Sequence, residues 1–135
     1  MVPITATYEG DLSCSVVHGP SGSTITTDAP RDNQGLGRTF SPTDLVATAL
    51  GTCILTTMAS VARRNGIEIK GAKVRVEKHM QDNPRRIARL PVVVTMPVRL
   101  GDDDRKRLEN AADLCPVKAS MAPGVETPVT FVWPA

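Results

Sequence analysis

Phe-Ser-Pro-Thr-Asp-Leu-Val-Ala-Thr-Ala-Leu-Gly-Thr-Cys, residues Phe40 to Cys53, opens the element that decides the fold. It signals a helix start in three ways: Ser41 is a hydroxyl N-cap, Pro42 suits the first helical position, and Asp44 completes a pattern like a capping box. The apolar pattern continues beyond Cys53 up to Gly66, and glycine favours the end of a helix. The sequence therefore predicts one long helix over Pro42–Asn65.

This helix is apolar on nearly every side until Arg63 and Arg64. Such a helix is normally buried, and it would be about 36 Å long at 1.5 Å per residue. One chain of 135 residues has little else with which to surround it. We therefore expect a homodimer, in which a second copy covers one flank. The longest apolar run, Leu45 to Leu55, is too short and too polar to span a bilayer, so we expect no membrane partner.

Strand patterns flank the helix on both sides. Before it, Thr5–Glu9, Leu12–His18 and Ser23–Thr27 are rich in β-branched residues and are separated by turn sequences, which predicts an antiparallel meander. After it, apolar and polar residues alternate over Val74–Met80 and again over Arg86–Arg99, which predicts a long hairpin.

The C-terminal part predicts two more helices and a last strand. Asp102 begins an acidic run that suits a helix start, and Cys115, which precedes a proline, is the expected N-cap of a short helix ending near Met121. Thr127–Trp133 is the closing strand. Together these elements predict an α+β fold with antiparallel sheets around a long buried central helix, in a single domain over residues 1–135. The expected apolar face of the Asp102 helix is Leu108, Ala111, Ala112 and Leu114.

Composition excludes several classes of function. The hydrophobic share of 41% and the charged share of 22% are those of a soluble globular protein. A net charge of +2, with one Trp, one Tyr and two Phe residues, argues against nucleic-acid binding, which uses basic patches and stacking platforms. The first residues have no secretory leader pattern, so we expect a cytoplasmic protein.

Three cysteines, Cys14, Cys53 and Cys115, are the candidates for chemistry, and their spacing matches no metal-binding pattern. Cys14 lies in a predicted strand, where a free thiol most simply packs as a small hydrophobe. As a helix N-cap, Cys115 would face unpaired N–H groups that stabilise a thiolate. These electrostatics favour Cys115 as the more acidic thiol; the alternative is a buried cysteine at a helix kink.

Cys53 lies too far along its helix for the helix dipole to help it ionise. At an ordinary pKa near 8.5, only about 3% of a thiol is ionised at pH 7, so a reactive Cys53 needs a nearby cation. The polar loop before the helix contains Arg31 and Arg38, and the longer tether of Arg31 favours it slightly. Gly51 and the threonines around Cys53 predict an open, locally polar patch that a small substrate could approach.

Two segments carry a resemblance to a known family: Phe40 to Cys53, quoted above, and Cys-Pro-Val at Cys115–Val117. They resemble the osmotically inducible protein C family, OsmC and the organic hydroperoxide resistance proteins. The resemblance covers nearly the whole chain, including Thr-Asp-Ala-Pro at Thr27–Pro30, Pro-Arg-Arg-Ile at Pro84–Ile87 and the final Val-Thr-Phe-Val-Trp.

This resemblance implies an α+β fold in which two chains intertwine and build the active sites at their interface. It implies that Cys53 attacks an organic hydroperoxide as a thiolate and that Cys115 resolves the sulfenic acid into a disulfide. A dithiol reductant, of the dihydrolipoamide or thioredoxin type, would then reduce the disulfide, with no metal or bound cofactor. The choice of Cys53 as the attacking cysteine rests on this resemblance and not on the electrostatics above.

The sequence departs from the family pattern at two places. Thr43 stands where other members have a glutamate that orients an arginine against the thiolate, and Asp44 beside it is the expected substitute. Lys118 stands where many members have histidine after Cys-Pro-Val. The candidate catalytic residues are Cys53, Cys115, Arg31, Arg38 and Asp44.

Two functions remain open from the sequence. One is a thiol-dependent peroxidase, a peroxiredoxin-like enzyme that reduces organic hydroperoxides, with Leu50, Ile54 and the partner chain as apolar pocket walls. The other is a non-catalytic dimer that binds a small apolar or electrophilic metabolite or senses oxidation, with Cys53 and Cys115 forming a regulatory or structural disulfide.

Overall fold

The predicted long helix is present as α1, Pro42–Arg64, in the computed structural model, which describes residues 1–135. Its start is a reciprocal cap: the Ser41 N–H donates to Asp44 Oδ2 at 2.9 Å, and the Asp44 N–H donates to Ser41 Oγ at 3.1 Å. Gly66, with φ +68°, follows its end. The local signals at both ends of the helix are confirmed.

Only one stripe of α1 is buried within this chain. The expectation that the whole helix surface is buried is not met by one chain alone. The buried residues are Ala47, Leu50, Gly51, Ile54, Met58 and Ala62, spaced as on one helix face.

By length and composition α1 could also cross a membrane. One such helix is weak evidence for a membrane span, because the core helix of a soluble protein passes the same test.

The residues group into two compact units, Met1–Val46 and Ala47–Ala135. The first unit contains three strands: β1 (Ile4–Gly10), β2 (Ser13–His18) and β3 (Thr24–Asp28). They pair antiparallel in the order β1-β2-β3. The predicted meander is therefore confirmed, and the single-domain assignment stays a prediction.

The register of the meander gathers apolar side chains on one face, because directly paired residues of an antiparallel ladder share a face. Much of this face is open in the single chain; Ile25, for example, is 50% exposed. The buried residues of this unit, Thr27, Asp28 and Ser41, are all polar. The first unit thus has no apolar core of its own. The apolar face consists of Ile4, Ala6, Tyr8, Cys14, Val16 and Ile25.

The second unit holds the rest of the fold. Its strands are β4 (Lys73–Val76), β5 (His79–Gln81), β6 (Arg86–Arg89), β7 (Val92–Thr95) and β8 (Val129–Val132), and its shorter helices are α2 (Asp102–Asp113) and α3 (Pro116–Ala119). β4 pairs antiparallel with β7, and β5 with β6, so the predicted long hairpin is present but interrupted. One interruption includes Pro91, which has no N–H for a strand ladder. β8 joins β7 in parallel, giving a sheet of order β4-β7-β8.

The apolar core lies in the second unit, and Gly51 lets α1 approach β4 closely. A Cβ atom at Gly51 would lie 2.8 Å from Val76 Cγ2 and 3.1 Å from Val74 Cγ1, which leaves no room for a side chain. This finding corrects the expectation that Gly51 opens a patch beside Cys53. The largest fully buried apolar side chains are Leu50, Ile54, Met58, Leu90, Val92, Val94 and Leu108.

The inward face of α2 differs from the prediction at one position. Leu108, Ala111 and Ala112 are buried as expected, but Leu114 is 74% exposed. The helix ends at Asp113, and the next buried residue of the stripe is Cys115. With that correction, the mixed α+β fold with antiparallel sheets and a central helix is confirmed.

Candidate active site

Cys53 on α1 and Cys115 at the N-cap of α3 are joined by a hydrogen bond between their side chains. Both are free thiols; Cys53 is half-buried and Cys115 is buried. The structure therefore brings together the two cysteines that the sequence analysis selected. Cys14 lies in the other unit, on the apolar face of the meander.

The α2–α3 junction positions Cys115. Pro116 occupies the start of α3, and the Lys118 N–H donates to Cys115 Sγ at 3.4 Å, so the predicted N-cap is present. Lys118 Nζ also donates to Asp113 Oδ1 at 2.6 Å, which ties α3 to the end of α2. Lys118 thus braces the segment that holds the second thiol.

The two thiols have opposite shifts in acidity. Burial raises the pKa of Cys53, but hydrogen bonds from the Cys115 side chain, the Val117 main chain and the Thr57 side chain outweigh burial and hold that pKa below its ordinary value. Burial raises the pKa of Cys115, and its bond to Cys53 raises it further. Cys53 therefore ionises first, with the Cys115 thiol as donor.

This order is the reverse of the acidity expected from the sequence, and the expectation that Cys115 is the more acidic thiol is wrong. An N-cap thiol gains from main-chain N–H groups, but here that gain is smaller than the cost of burying a second charge beside Cys53. Neither burial nor the contact between distant cysteines is visible in the local sequence.

The threonines around Cys53 differ in how they use their hydroxyls. Thr52 and Thr56 are exposed, and each donates to a main-chain carbonyl one turn earlier, at 2.8 Å. Thr57 is half-buried, and its side chain bonds Cys53 instead. The polar surroundings of Cys53 are thus supplied by Thr57 rather than by an open patch at Gly51.

The expected pocket walls are not surface residues. Leu50 and Ile54 are fully buried among the apolar core of the second unit. They lie on the inward stripe of α1, so within this chain they cannot line an open binding pocket. This corrects the expectation that their side chains select the substrate.

Arg38 is held by a buried carboxylate that the sequence analysis did not select. Asp28 is 1% exposed, and its Oδ2 accepts from Arg38 Nε at 2.9 Å and from the Arg38 main-chain N–H at 2.9 Å. Arg38 Nη2 donates to Asp28 Oδ1 at 3.2 Å. These hydrogen bonds hold the pKa of Asp28 below its usual range. Asp28 directly follows the predicted strand Ser23–Thr27, and in the structure it is the last residue of β3.

The other two candidates, Arg31 and Asp44, make local contacts. Arg31 begins a short 3₁₀ turn, Arg31–Asn33, and its Nε donates to the Leu36 carbonyl at 3.2 Å. Asp44 caps the Ser41 N–H, as described above. The carboxylate found at Arg38 is Asp28, and the catalytic roles of Arg31, Arg38 and Asp44 stay predictions.

The chain has no cluster of three or more His, Cys, Asp or Glu side chains arranged to hold a metal ion. What the arrangement offers chemically is a pair of thiols in contact, one of which ionises more readily than the other. Such a pair suits nucleophilic attack by one sulfur followed by disulfide formation with the other.

Comparison with known proteins assigns the chain to a family. The family model described as OsmC-like protein matches residues 34–130. The chain belongs to the OsmC-like family. No curated protein matches it significantly.

Solved structures agree with this assignment. One from Psychrobacter arcticus 273-4, described as an osmotic stress induced and detoxification response protein, is 41% identical, with a TM-score of 0.92 over 97% of this chain and 96% of that one. An OsmC like protein from Mycoplasma pneumoniae shares the fold at 16% identity, with a TM-score of 0.81 over 100% and 98% of the two chains. An organic hydroperoxide resistance protein from Legionella pneumophila does so at 16%, with a TM-score of 0.76 over 98% and 96%.

Proposed function

We propose that this protein reduces organic hydroperoxides, with Cys53 as the attacking thiolate and Cys115 as the resolving thiol. The observation that carries the proposal is the hydrogen bond between the two sulfurs, together with their opposite shifts in acidity. Membership of a family that includes organic hydroperoxide resistance proteins supports it.

In the first step, the Cys53 thiolate attacks the terminal oxygen of the hydroperoxide. The O–O bond breaks, the alkoxide leaves and takes up a proton as the alcohol, and Cys53 becomes a sulfenic acid. The pKa of Cys53, lowered by its hydrogen bonds, supports this step because only the thiolate is nucleophilic.

In the second step, the Cys115 sulfur attacks the Cys53 sulfur and the sulfenic oxygen leaves as water. Cys115 gives up its proton in this step, and the product is a Cys53–Cys115 disulfide. An external dithiol of the dihydrolipoamide or thioredoxin type then exchanges with this disulfide and restores both thiols. The proposed setting is a homodimer in the cytoplasm, with no bound cofactor.

The test is consumption of cumene hydroperoxide and of hydrogen peroxide, with dihydrolipoamide or thioredoxin as reductant. We expect Cys53→Ser to abolish turnover. Cys115→Ser should consume about one peroxide per subunit and then stall, because the sulfenic acid has no intramolecular thiol partner and can be over-oxidised.

Cys14→Ser is the matched control, since Cys14 lies in the other unit, and it should turn over as the wild type does. Equal steady-state turnover by the wild type and Cys53→Ser would remove the mechanism. A wild type that consumes no peroxide with either reductant would instead favour the non-catalytic dimer that binds a metabolite or senses oxidation.

A further inference from the structure

The short helix α3 follows a fully buried thiol but buries little of itself. Cys115, its N-cap, is 0% exposed, whereas none of the four residues of α3 is buried. A helix of one turn is unstable in isolation, and segments with few buried contacts are those that open locally. The position of α3 against Cys115 therefore depends on specific contacts more than on burial.

Cys115 is also the pivot between α2 and α3. Its N–H donates back to the Ala112 carbonyl at 3.3 Å, and its own carbonyl accepts from the Ala119 N–H at 3.0 Å. Pro116 has no N–H with which to continue the hydrogen bonds of α2. The main chain thus bonds backward to α2 and forward to α3, with the bend between them at Cys115.

Lys118 holds this bend closed with both its main chain and its side chain. Its N–H donates to Cys115 Sγ at 3.4 Å. Its Nζ donates at 2.6 Å to Oδ1 of Asp113, the last residue of α2. The Lys118 side chain is 23% exposed, so this ion pair is partly shielded from water. Because the pair joins the two sides of the pivot, it must break when α3 moves away from the Cys115 sulfur.

We propose that the Asp113–Lys118 ion pair is a latch that controls access to Cys115: external reagents reach the buried sulfur only when the pair opens and α3 moves. The purpose of the latch rests on the proposed function, because a closed latch reserves the resolving thiol for the Cys53 sulfenic acid. The latch itself does not depend on that function.

The experiment measures alkylation of Cys115 by iodoacetamide at pH 8 in the reduced, folded protein without peroxide. Lys118→Met removes the ammonium and keeps an apolar side chain of similar length, whereas Asp113→Asn removes the carboxylate charge. Lys118→Arg keeps a cation at the same position. Cleavage after glutamate gives the peptide Asn110–Glu126, which contains Cys115 as its sole cysteine, so mass spectrometry reports this thiol alone in each variant.

Arg107→Met is the matched control. It removes the Arg107–Asp104 ion pair, which is also 2.6 Å long and partly exposed, but which lies within α2 and does not span the bend. Arg107→Met should therefore alkylate at Cys115 at the wild-type rate.

We expect Lys118→Met and Asp113→Asn each to alkylate at Cys115 about threefold faster than the wild type, the size typical of a partly exposed ion pair. The two variants separate opening from acidity. Loss of the ammonium alone would make the Cys115 thiol less acidic and slow its reaction, and loss of the carboxylate alone would do the reverse. Acceleration in both variants therefore reports opening, and Lys118→Arg should restore the wild-type rate.

Salt gives a second measurement, since it screens a partly exposed ion pair. Raising the salt concentration should speed alkylation of Cys115 in the wild type and have less effect in Lys118→Met. Low concentrations of urea should barely change the rate in either protein, because opening of α3 exposes little surface, whereas global unfolding exposes much.

An unchanged or slower rate in Lys118→Met overturns the inference, as does equal acceleration in Arg107→Met. A steep dependence on urea below the unfolding transition also overturns it, since Cys115 would then react through global unfolding. If Lys118→Met is poorly folded, Lys118→Gln decides in the same way. Because no peroxide is used, an outcome against the latch leaves the peroxidase proposal intact, and absence of peroxidase activity leaves the latch to be judged on these rates.

Discussion

The acidity of each thiol depends on its contacts more than on its place in a helix. Cys53, in mid-helix, has the lowered pKa because three donors converge on its sulfur. Cys115, at an N-cap, has the raised pKa because it is buried and lies beside Cys53. Hydrogen bonds across the pair thus outweigh the helix terminus, which supports the proposed roles of Cys53 in attack and Cys115 in resolution.

Replacing the resolving thiol should therefore alter the acidity of the attacking one. In Cys115→Ala a donor to the Cys53 sulfur is lost, and Cys115 is still protonated at the pH where Cys53 ionises, so no negative charge is removed with it. The pKa of Cys53 should rise, and its thiolate should form only at higher pH than in the wild type. Alkylation of the Cys53 peptide followed against pH measures this shift.

Cys14→Ala is the control for that experiment and should leave the Cys53 profile unchanged. A Cys53 pKa that falls or stays constant in Cys115→Ala would mean that repulsion between the sulfurs, rather than donation, dominates the pair.

Residues differed in how far the sequence could predict their roles. The Ser41 and Asp44 cap is local, so the spacing alone predicted it. The partnership of Arg38 with Asp28 joins the end of a strand to a later loop residue, and the sequence supplied no spacing rule for it. The pairing of Cys53 with Cys115 was expected from the family resemblance, since nothing local connects them.

Among the elements, those with local signals were predicted best. The bounds of α1 and the three strands of the meander follow from caps and turns, and each end of these elements lies within one residue of its predicted position. The parallel pairing of β8 with β7 joins segments distant in sequence, and no pattern within either strand specifies a partner. Leu114 was misplaced because α2 ends one residue before it.

The close approach of α1 to β4 gives a test at this scale. Gly51→Val would place a branched side chain where a Cβ already lies 2.8 Å from Val76 Cγ2. Overpacking of this kind typically costs about 1–3 kcal/mol, and a β-branched residue gains little helix propensity over glycine to offset it. We expect urea denaturation to show a lower free energy of unfolding by about 2 kcal/mol.

Thr52→Val, at the next and exposed position, introduces the same side chain away from β4 and should change stability by no more than about 0.5 kcal/mol. Equal losses in the two variants would show that the helix rather than its packing is sensitive to valine. No loss at Gly51 would show that β4 moves aside easily.

For the whole molecule, the apolar surfaces left open in one chain support association. The meander presents an apolar face that includes Ile25, and α1 buries only one stripe of a largely apolar helix. Large apolar patches exposed on a monomer are unusual and mark interaction sites. The family resemblance and the apolar pattern on nearly every side of α1 both favour a second copy of this chain as the partner that covers these surfaces.

We therefore expect a homodimer at micromolar concentration in analytical ultracentrifugation. Ile25→Lys, on the apolar face of β3, should shift the equilibrium toward monomer because it would bury a charge at an interface. Thr26→Lys, on the opposite face of the same strand, is the matched control and should sediment as the wild type does. A stable wild-type monomer would count decisively against this prediction.

The polar set Thr27, Asp28 and Ser41 is all that residues 1–46 bury in a single chain. If partner contact supplies the missing apolar burial, the local stability of β1, β2 and β3 is coupled to protein concentration by mass action. On dilution these strands would open first, and their amide hydrogens would exchange with solvent well before those of the second unit. The N-terminal third of the chain would then act as a sensor of how much of the protein is present.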